Sequence, residues 1–152
     1  ERKIRQGVEQ SATRLKTDLK KDGVSDLVIE LTIDTFRIQQ FMEQYMAIDY
    51  STAGMRGASH EAADRYDSLL NKYYKKLAAV LAPEDRKVLV QAQKAWITYR
   101  DSELKLVGVV SKDEYSGGGT VQQLIDSSYY LEIIKSRTID IYDHLLRAAQ
   151  TY

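Results

Sequence analysis

The only tryptophan of this chain lies in Ala92-Gln-Lys-Ala-Trp-Ile-Thr-Tyr-Arg-Asp101, with an aromatic and a charged pair following it at helical spacing. Trp96 and Tyr99 are three residues apart and share a helix face. Large aromatics on an apolar stripe usually pack into a core, so both are expected there; the competing role is an exposed anchor for a partner. Arg100 and Asp101 are adjacent and point in different directions on a helix. They are expected to reach other helices rather than each other, with Asp101 to Arg137 as the leading ion pair. Such a pair sets register more than stability. Asp101 and Glu103 make a poor acid–base couple, because positions two apart on a helix diverge.

Other reactive constellations are missing from the sequence. His60 and His144, the only histidines, stand in no metal-binding spacing. No serine sits in Gly-x-Ser-x-Gly. Ser116-Gly-Gly-Gly119 lacks the lysine and preceding strand of a phosphate loop and reads as a flexible linker. Cysteine is absent, which excludes disulfides, thiolate nucleophiles and sulfur-bound zinc. No cofactor, metal or catalytic machinery is therefore expected.

The 22 basic and 22 acidic side chains cancel, so no global field favours nucleic acid. No apolar run reaches the roughly 18–20 residues that span a bilayer. Tyrosine is common, 11 against 2 phenylalanines. In Tyr73-Tyr74 and Tyr129-Tyr130 one ring is expected inward and one at the margin.

The elements that must position these residues are helices. One proline and much Ala, Leu, Lys, Glu and Gln favour helix over sheet. Residues 1–22 carry a thin apolar line, Ile4, Val8, Leu15 and Leu19, and a basic face of Arg2, Lys3, Arg5, Arg14, Lys16, Lys20 and Lys21. Acids dilute that face, so it is expected to be solvated. Lys20-Lys21-Asp22-Gly23 reads as a helix stop. Leu27, Ile29, Leu31 and Ile33 alternate like a strand. No second strand exists to pair with, so one helix is expected from about 25 to 49. The glycines in Ser51–Gly57 read as a break, with Ser59 capping the next helix. That helix carries Ala62, Tyr66, Leu69, Leu70, Tyr73, Leu77, Val80 and Leu81 on one stripe. Pro83 restarts the chain into a helix whose buried face is Val88, Leu89, Ala92, Ala95, Trp96 and Tyr99. The short connection makes the two an antiparallel hairpin. Thr120-x-x-Gln123 has the pattern of a capping box, opening a last helix with Leu124, Leu131, Ile134, Ile141 and Leu145 inward. The fold expected is all-α, an up-and-down antiparallel bundle of four to five helices, with residues 1–24 an N-terminal extension of a domain over 25–152.

Three segments now stand in order: Asp67-x-x-Leu70-Asn71-x-x-Tyr74-x-x-Leu77, the Trp96 segment, and Gly118-Gly-Thr-Val-Gln-Gln123 with Arg137-Thr138 one helix further on. Together they resemble the LprI-like family, exported bacterial helical domains named after a lysozyme inhibitor. The resemblance covers roughly residues 35–148. It implies a compact helical domain in the periplasm or outside the cell, with a protein partner and lysozyme as the named candidate. Members often carry cysteines near the positions of Leu104 and Tyr129. Both are missing here, so the glycine loop is expected to be freer, or packed by those two residues.

The expected function is non-enzymatic protein binding. If it is lysozyme inhibition, the mechanism is steric occlusion by the loop Lys112–Thr120. Gly117, Gly118 and Gly119 would thread a narrow cleft, Tyr115 would anchor, and Asp113 and Glu114 would face a basic enzyme. The alternative is a structural or adaptor module of the cell envelope, using tyrosine-rich helix faces. The oligomeric state is not legible in the sequence.

Overall fold

The computed structural model describes residues 2–149. Nothing is described of the Arg2 side chain, so that part of the expected basic face lies outside the described side chains; its other lysines and arginines are exposed. Six helices follow in order: α1 (Arg2–Lys21), α2 (Asp26–Ile48), α3 (Thr52–Val80), α4 (Pro83–Val110), α5 (Asp113–Ser116) and α6 (Thr120–Ala149). The fold is an all-α bundle. The alternating apolar run 27–33 is helical, with Ile29 and Ile33 buried and Leu27 and Leu31 half-buried. None of these helices is long and apolar enough to cross a membrane.

α1 ends as its sequence requires. Gly23 takes the left-handed conformation at φ 75°, and the Val24 amide reaches back to the Leu19 carbonyl at 3.1 Å. Ala12, Leu15 and Leu19 then pack against α2 around Ile29, Ile33 and Phe36, and Val8 is buried one turn before Ala12. The α1–α2 pair is antiparallel, clipped on its surface by Arg37 and Glu9 at 2.8 and 2.9 Å.

The expected break at Ser51–Gly57 is corrected. α3 begins at Thr52, capped by the Ser51 hydroxyl, which accepts from the Gly54 amide at 3.0 Å. Gly54 and Gly57 are inside the helix, and Ser59 is a buried residue whose hydroxyl donates to the Met55 carbonyl. A side chain at position 54 would collide with Asp49, whose carbonyl oxygen would lie 2.4 Å from its Cβ. Glycine is there to let the chain turn sharply out of α2.

α3 and α6 form the main packing unit, and they run parallel. His60 meets Tyr130, Tyr66 meets Thr138, and Tyr73 meets Tyr142. The buried Thr138 hydroxyl lies 3.0 Å from the Tyr66 carbonyl and 2.9 Å from that of Ile134. Ala58, Ala62 and Ala63 are fully buried, so small side chains let the helices approach. α2 lies antiparallel to α3 and contributes Ile38 and Phe41 to the core. α4 runs antiparallel to α6 but buries only Leu89 completely. It does alternate in direction with α3, as expected of a hairpin, yet the close neighbour of α3 is α6. The expected capping box is also not formed: the Gln123 side chain accepts a hydrogen bond from Arg56 on α3.

A polar network ties α2 to α3. Lys72 reaches Asp34 at 2.5 Å and Glu30 at 2.8 Å, Lys76 reaches Glu30 at 2.8 Å, and the Tyr73 hydroxyl donates to Asp34 at 3.0 Å. Burial pushes the Glu30 carboxyl upward, but hydrogen bonds from Lys72 and Lys76 outweigh it and hold it low. Burial pulls Lys72 down, and its carboxylate partners overcome that and raise it. Burial raises Tyr73 strongly, helped by the negative charge on Asp34. Burial also raises Tyr66 and Tyr142, each with help from a nearby acid.

Two outcomes are expected. Gly54→Ala should destabilise by about 1–3 kcal/mol, the usual range for overpacking, as read by urea unfolding. Tyr73, Tyr66, Tyr142 and Lys72 all hold their protons more tightly folded than unfolded, where such groups titrate near 10. The stability linked to them is complete below about pH 10 and is lost as pH rises through the folded values. The urea midpoint should therefore fall above about pH 10, and less steeply in Tyr73→Phe. Glu30 acts at the other end, its contribution being lost as pH falls below the ordinary carboxylate range.

Candidate functional site

Two regions collect the residues singled out by sequence: a cleft between α4 and α6, and the turn that joins them. α4 meets α6 through Leu89, Gln93, Trp96, Arg100, Leu104 and Val107, stepping at three- and four-residue intervals. Trp96 is half-buried and touches the core beside Leu70 and beside Ile134. The guanidinium of Arg100 lies 5.4 Å from its ring centroid and that of Arg137 lies 5.9 Å away. Beside it opens a cleft of about 320 Å³ lined by Tyr99, Tyr129, Glu132, Ser136 and Asp140.

The expectation that Trp96 and Tyr99 are both core is corrected. Trp96 only borders the core, and Tyr99 is 55% exposed. The cause is rotational. The seam that α4 turns to α6 is centred on Leu89 and Trp96, which puts Val88, Ala92, Ala95 and Tyr99 on the exposed flank, with Val88 and Ala92 bordering a cleft beside Leu77, Leu81 and His144. The expected Asp101–Arg137 pair is corrected too. Arg100 and Asp101 bind each other at 2.8 and 2.9 Å, because the long arginine folds back along the surface. Arg137 instead donates from Nε to Gln93 at 3.1 Å. Burial lowers the pKa of Arg137, opposed by the charge of Asp140.

The remaining motif residues serve α3. Leu70 is buried, Tyr74 packs half-buried against the same cluster, and Asn71 and Asp67 face each other at 3.5 Å. Tyr73 is fully buried beside half-buried Tyr74; Tyr130 is half-buried beside exposed Tyr129.

The turn between α4 and α6 is more structured than a glycine linker. Asp113–Ser116 form one helical turn, α5, and Gly117, Gly118 and Gly119 all take positive φ of 78°, 76° and 98°. The Ser116 hydroxyl donates to the Ser111 carbonyl at 3.0 Å and accepts from the Gly118 amide at 3.1 Å. The Ser111 hydroxyl bonds Asp126 on α6. Sequence reasoning missed this Ser111–Asp126 tie, since neither residue carries a pattern marking it. It joins the two helix ends without a disulfide. Leu104 is half-buried and Tyr129 exposed. Asp113, Glu114 and Tyr115 are exposed, Tyr115 by 66%.

Another cleft, about 590 Å³, gathers Lys16, Lys20, Asp26, Glu30, Asp34 and Lys72 between α1, α2 and α3. Lys72 pairs there with Glu30 and Asp34, and Lys76 with Glu30, across α2 and α3. Against burial, those pairs raise Lys72 and lower Glu30, each toward its charged form. These are ion pairs fixing helices. Among the described residues no group of three or more His, Cys, Asp or Glu could hold a metal.

Fold and site thus define a helical domain with a tied acidic–aromatic turn and an arginine-flanked tryptophan cleft. A family model described as "Lysozyme inhibitor LprI" matches residues 45–141. The chain belongs to the LprI family. No curated protein and no solved structure matches it. The matched stretch takes in α3, α4, α5 and most of α6, and leaves out α1 and nearly all of α2.

The different burial of the two aromatics has a direct readout. Trp96→Ala should destabilise by about 3 kcal/mol, the lower end for a large buried aromatic. Tyr99→Ala should stay within about 0.5 kcal/mol, as surface changes do, in unfolding followed by circular dichroism at submicromolar protein.

Proposed function

We propose that the chain is an exported, non-enzymatic domain that inhibits a lysozyme by steric occlusion through the turn 112–120. The observation that carries this reading, beside membership of the family, is the turn itself. It presents Asp113, Glu114 and Tyr115 to solvent on a short helix braced from behind by Ser111, Ser116 and Asp126. A braced tip loses little conformational freedom on binding, and a tyrosine at its centre suits a pocket on the enzyme. The two acids complement a basic enzyme surface and hasten encounter. Gly117, Gly118 and Gly119 keep the flank of the tip narrow. In this reading the protein works in the periplasm or outside the cell, and residues 1–24 are an extension added to the inhibitor domain over 25–152.

The alternative is an adaptor or structural module of the cell envelope. The observation favouring it is the uncovered apolar side of α4, including Val88, Tyr99 and Leu106.

Inhibition and binding assays against a panel of lysozymes decide between them. Deleting residues 113–119, or replacing Asp113, Glu114 and Tyr115 together by alanine, should abolish inhibition while helical circular dichroism is retained. Tyr115→Ala alone should cost roughly 30-fold in affinity, the effect of one interface hot spot. Undiminished inhibition in these variants would rule the turn out.

A further inference from the structure

The cleft between α4 and α6 holds a charge that the protein leaves unanswered. Arg137 is half-buried, and burial pulls its pKa down against the charge of Asp140. Only its Nε is hydrogen-bonded, to Gln93 at 3.1 Å, and among the described residues it forms no ion pair. Asp140 stands one turn further along the same face of α6 and lines the same cleft. Among the described residues it has no hydrogen bond or ion pair either. A guanidinium only donates and a carboxylate only accepts, so the two could satisfy each other, yet they stand apart. On the other side of Arg137, Glu132 accepts from the Ser136 hydroxyl at 3.2 Å. Tyr99 from α4 and Tyr129 from α6, each 55% exposed, border the cleft beside Trp96.

The lining decides the charge of a ligand. It sets one cation, Arg137, against two carboxylates, Glu132 and Asp140, so an anion is repelled on balance. A cation seeking an aromatic face finds Trp96 already flanked by the guanidiniums of Arg100 and Arg137. A neutral ligand fits, provided that its polar groups both give and take hydrogen bonds. Hydroxyls do so from a single atom. One that accepts from Arg137 can donate to Asp140. A peptide backbone also gives and takes, but bound peptides rely on pockets for alternate side chains, and here both tyrosine rings stand open. The polar side of the cleft runs from residue 129 to 140, about 16 Å at 1.5 Å per residue, which suits an extended ligand.

We infer that this cleft binds a neutral oligosaccharide lying along α6, with hydroxyls between Arg137 and Asp140 and the C–H faces of its rings against Tyr99 and Tyr129. Small-molecule sites combine aromatic walls with a few converging polar groups, and the cleft's 320 Å³ stands at the lower end of their range of about 300–1,000 Å³. Tyrosine serves such a ligand with a flat apolar ring and a hydroxyl at the wet edge. The bound hydroxyl gives the half-buried guanidinium the acceptor that the protein does not supply. The inference does not depend on the lysozyme reading, which rests on the turn.

Trp96 is the only tryptophan, so a single indole N–H resonance of the nitrogen-15-labelled protein reports the cleft. Titration with cellotriose, maltotriose and triacetylchitotriose to about 20 mM should shift it saturably for at least one of them, with a dissociation constant of about 1 mM or below. The corresponding monosaccharide should bind more weakly, and trigalacturonic acid at least tenfold more weakly than the best neutral trimer. Tyr99→Ala and Tyr129→Ala should each cost roughly tenfold, the worth of one ring contact. Arg137→Met should cost at least as much, with helical circular dichroism retained. Tyr50→Ala, at an exposed tyrosine ahead of α3, should change nothing. No shift with any neutral trimer, binding that survives Tyr129→Ala and Arg137→Met, or equal or tighter binding of trigalacturonic acid or of N-acetyl-trialanine amide would overturn the inference.

Discussion

The parallel contact of α3 with α6 sets the terms for everything else in this bundle. Parallel neighbours cannot be joined by a tight turn, so α4 must carry the chain back along the whole length of the pair. Its 28 residues match the 29 of α3 and the 30 of α6 for that reason. The contact is made close by Ala58, Ala62 and Ala63 and fixed in register by the Thr138 hydroxyl against the Tyr66 carbonyl. α2 adds its apolar side to this pair, and its charged side is answered by Lys72 and Lys76. α4 rests on this pair along one narrow seam and keeps much of its surface outside.

That geometry explains where the sequence could be read and where it could not. Helix type and extent followed from local chemistry: Gly23 ending α1, Pro83 opening α4, and the long stripe of α3. The Trp96 segment also carried enough residue identity to indicate the family. The rotation of α4 was hidden. Val88-Ala92-Ala95-Tyr99 and Leu89-Gln93-Trp96-Arg100 satisfy the same period, offset by one residue, and the more apolar of the two is the one left exposed. Periodicity says that a helix has a face; the partner decides which. The misplaced start of α3 has a similar origin. Glycine usually marks a break, but here Gly54 answers a close approach by Asp49, a contact between residues flanking a turn that no propensity encodes.

The candidate site divides in the same way. The glycine turn was visible as composition, yet its shape depends on Ser111, Ser116 and Asp126, polar residues of kinds found all over the surface. Arg100 and Asp101 were expected to look apart and instead fold together. On an exposed helix a long flexible side chain can reach its neighbour, and the backbone directions that normally separate such residues no longer decide. The acid–lysine cleft between α1, α2 and α3 could have been taken for chemistry. The ion pairs of Lys72 and Lys76 with Glu30 and Asp34 make it a brace between α2 and α3.

The hydrogen bond from Ser111 to Asp126 and the parallel seat of α6 have a joint consequence for proteolysis. The run Gly117–Gly119 lies outside any helix, and a cut there would sever α6 from everything before it. Yet α6 is held by Ile134, Thr138, Ile141 and Leu145 against α3, none of which depends on the turn. A nicked molecule therefore stays one particle, with a displayed tip still fastened to the end of α4 and a new terminus beside it. Covalent continuity at the turn and integrity of the body are separate properties of this architecture.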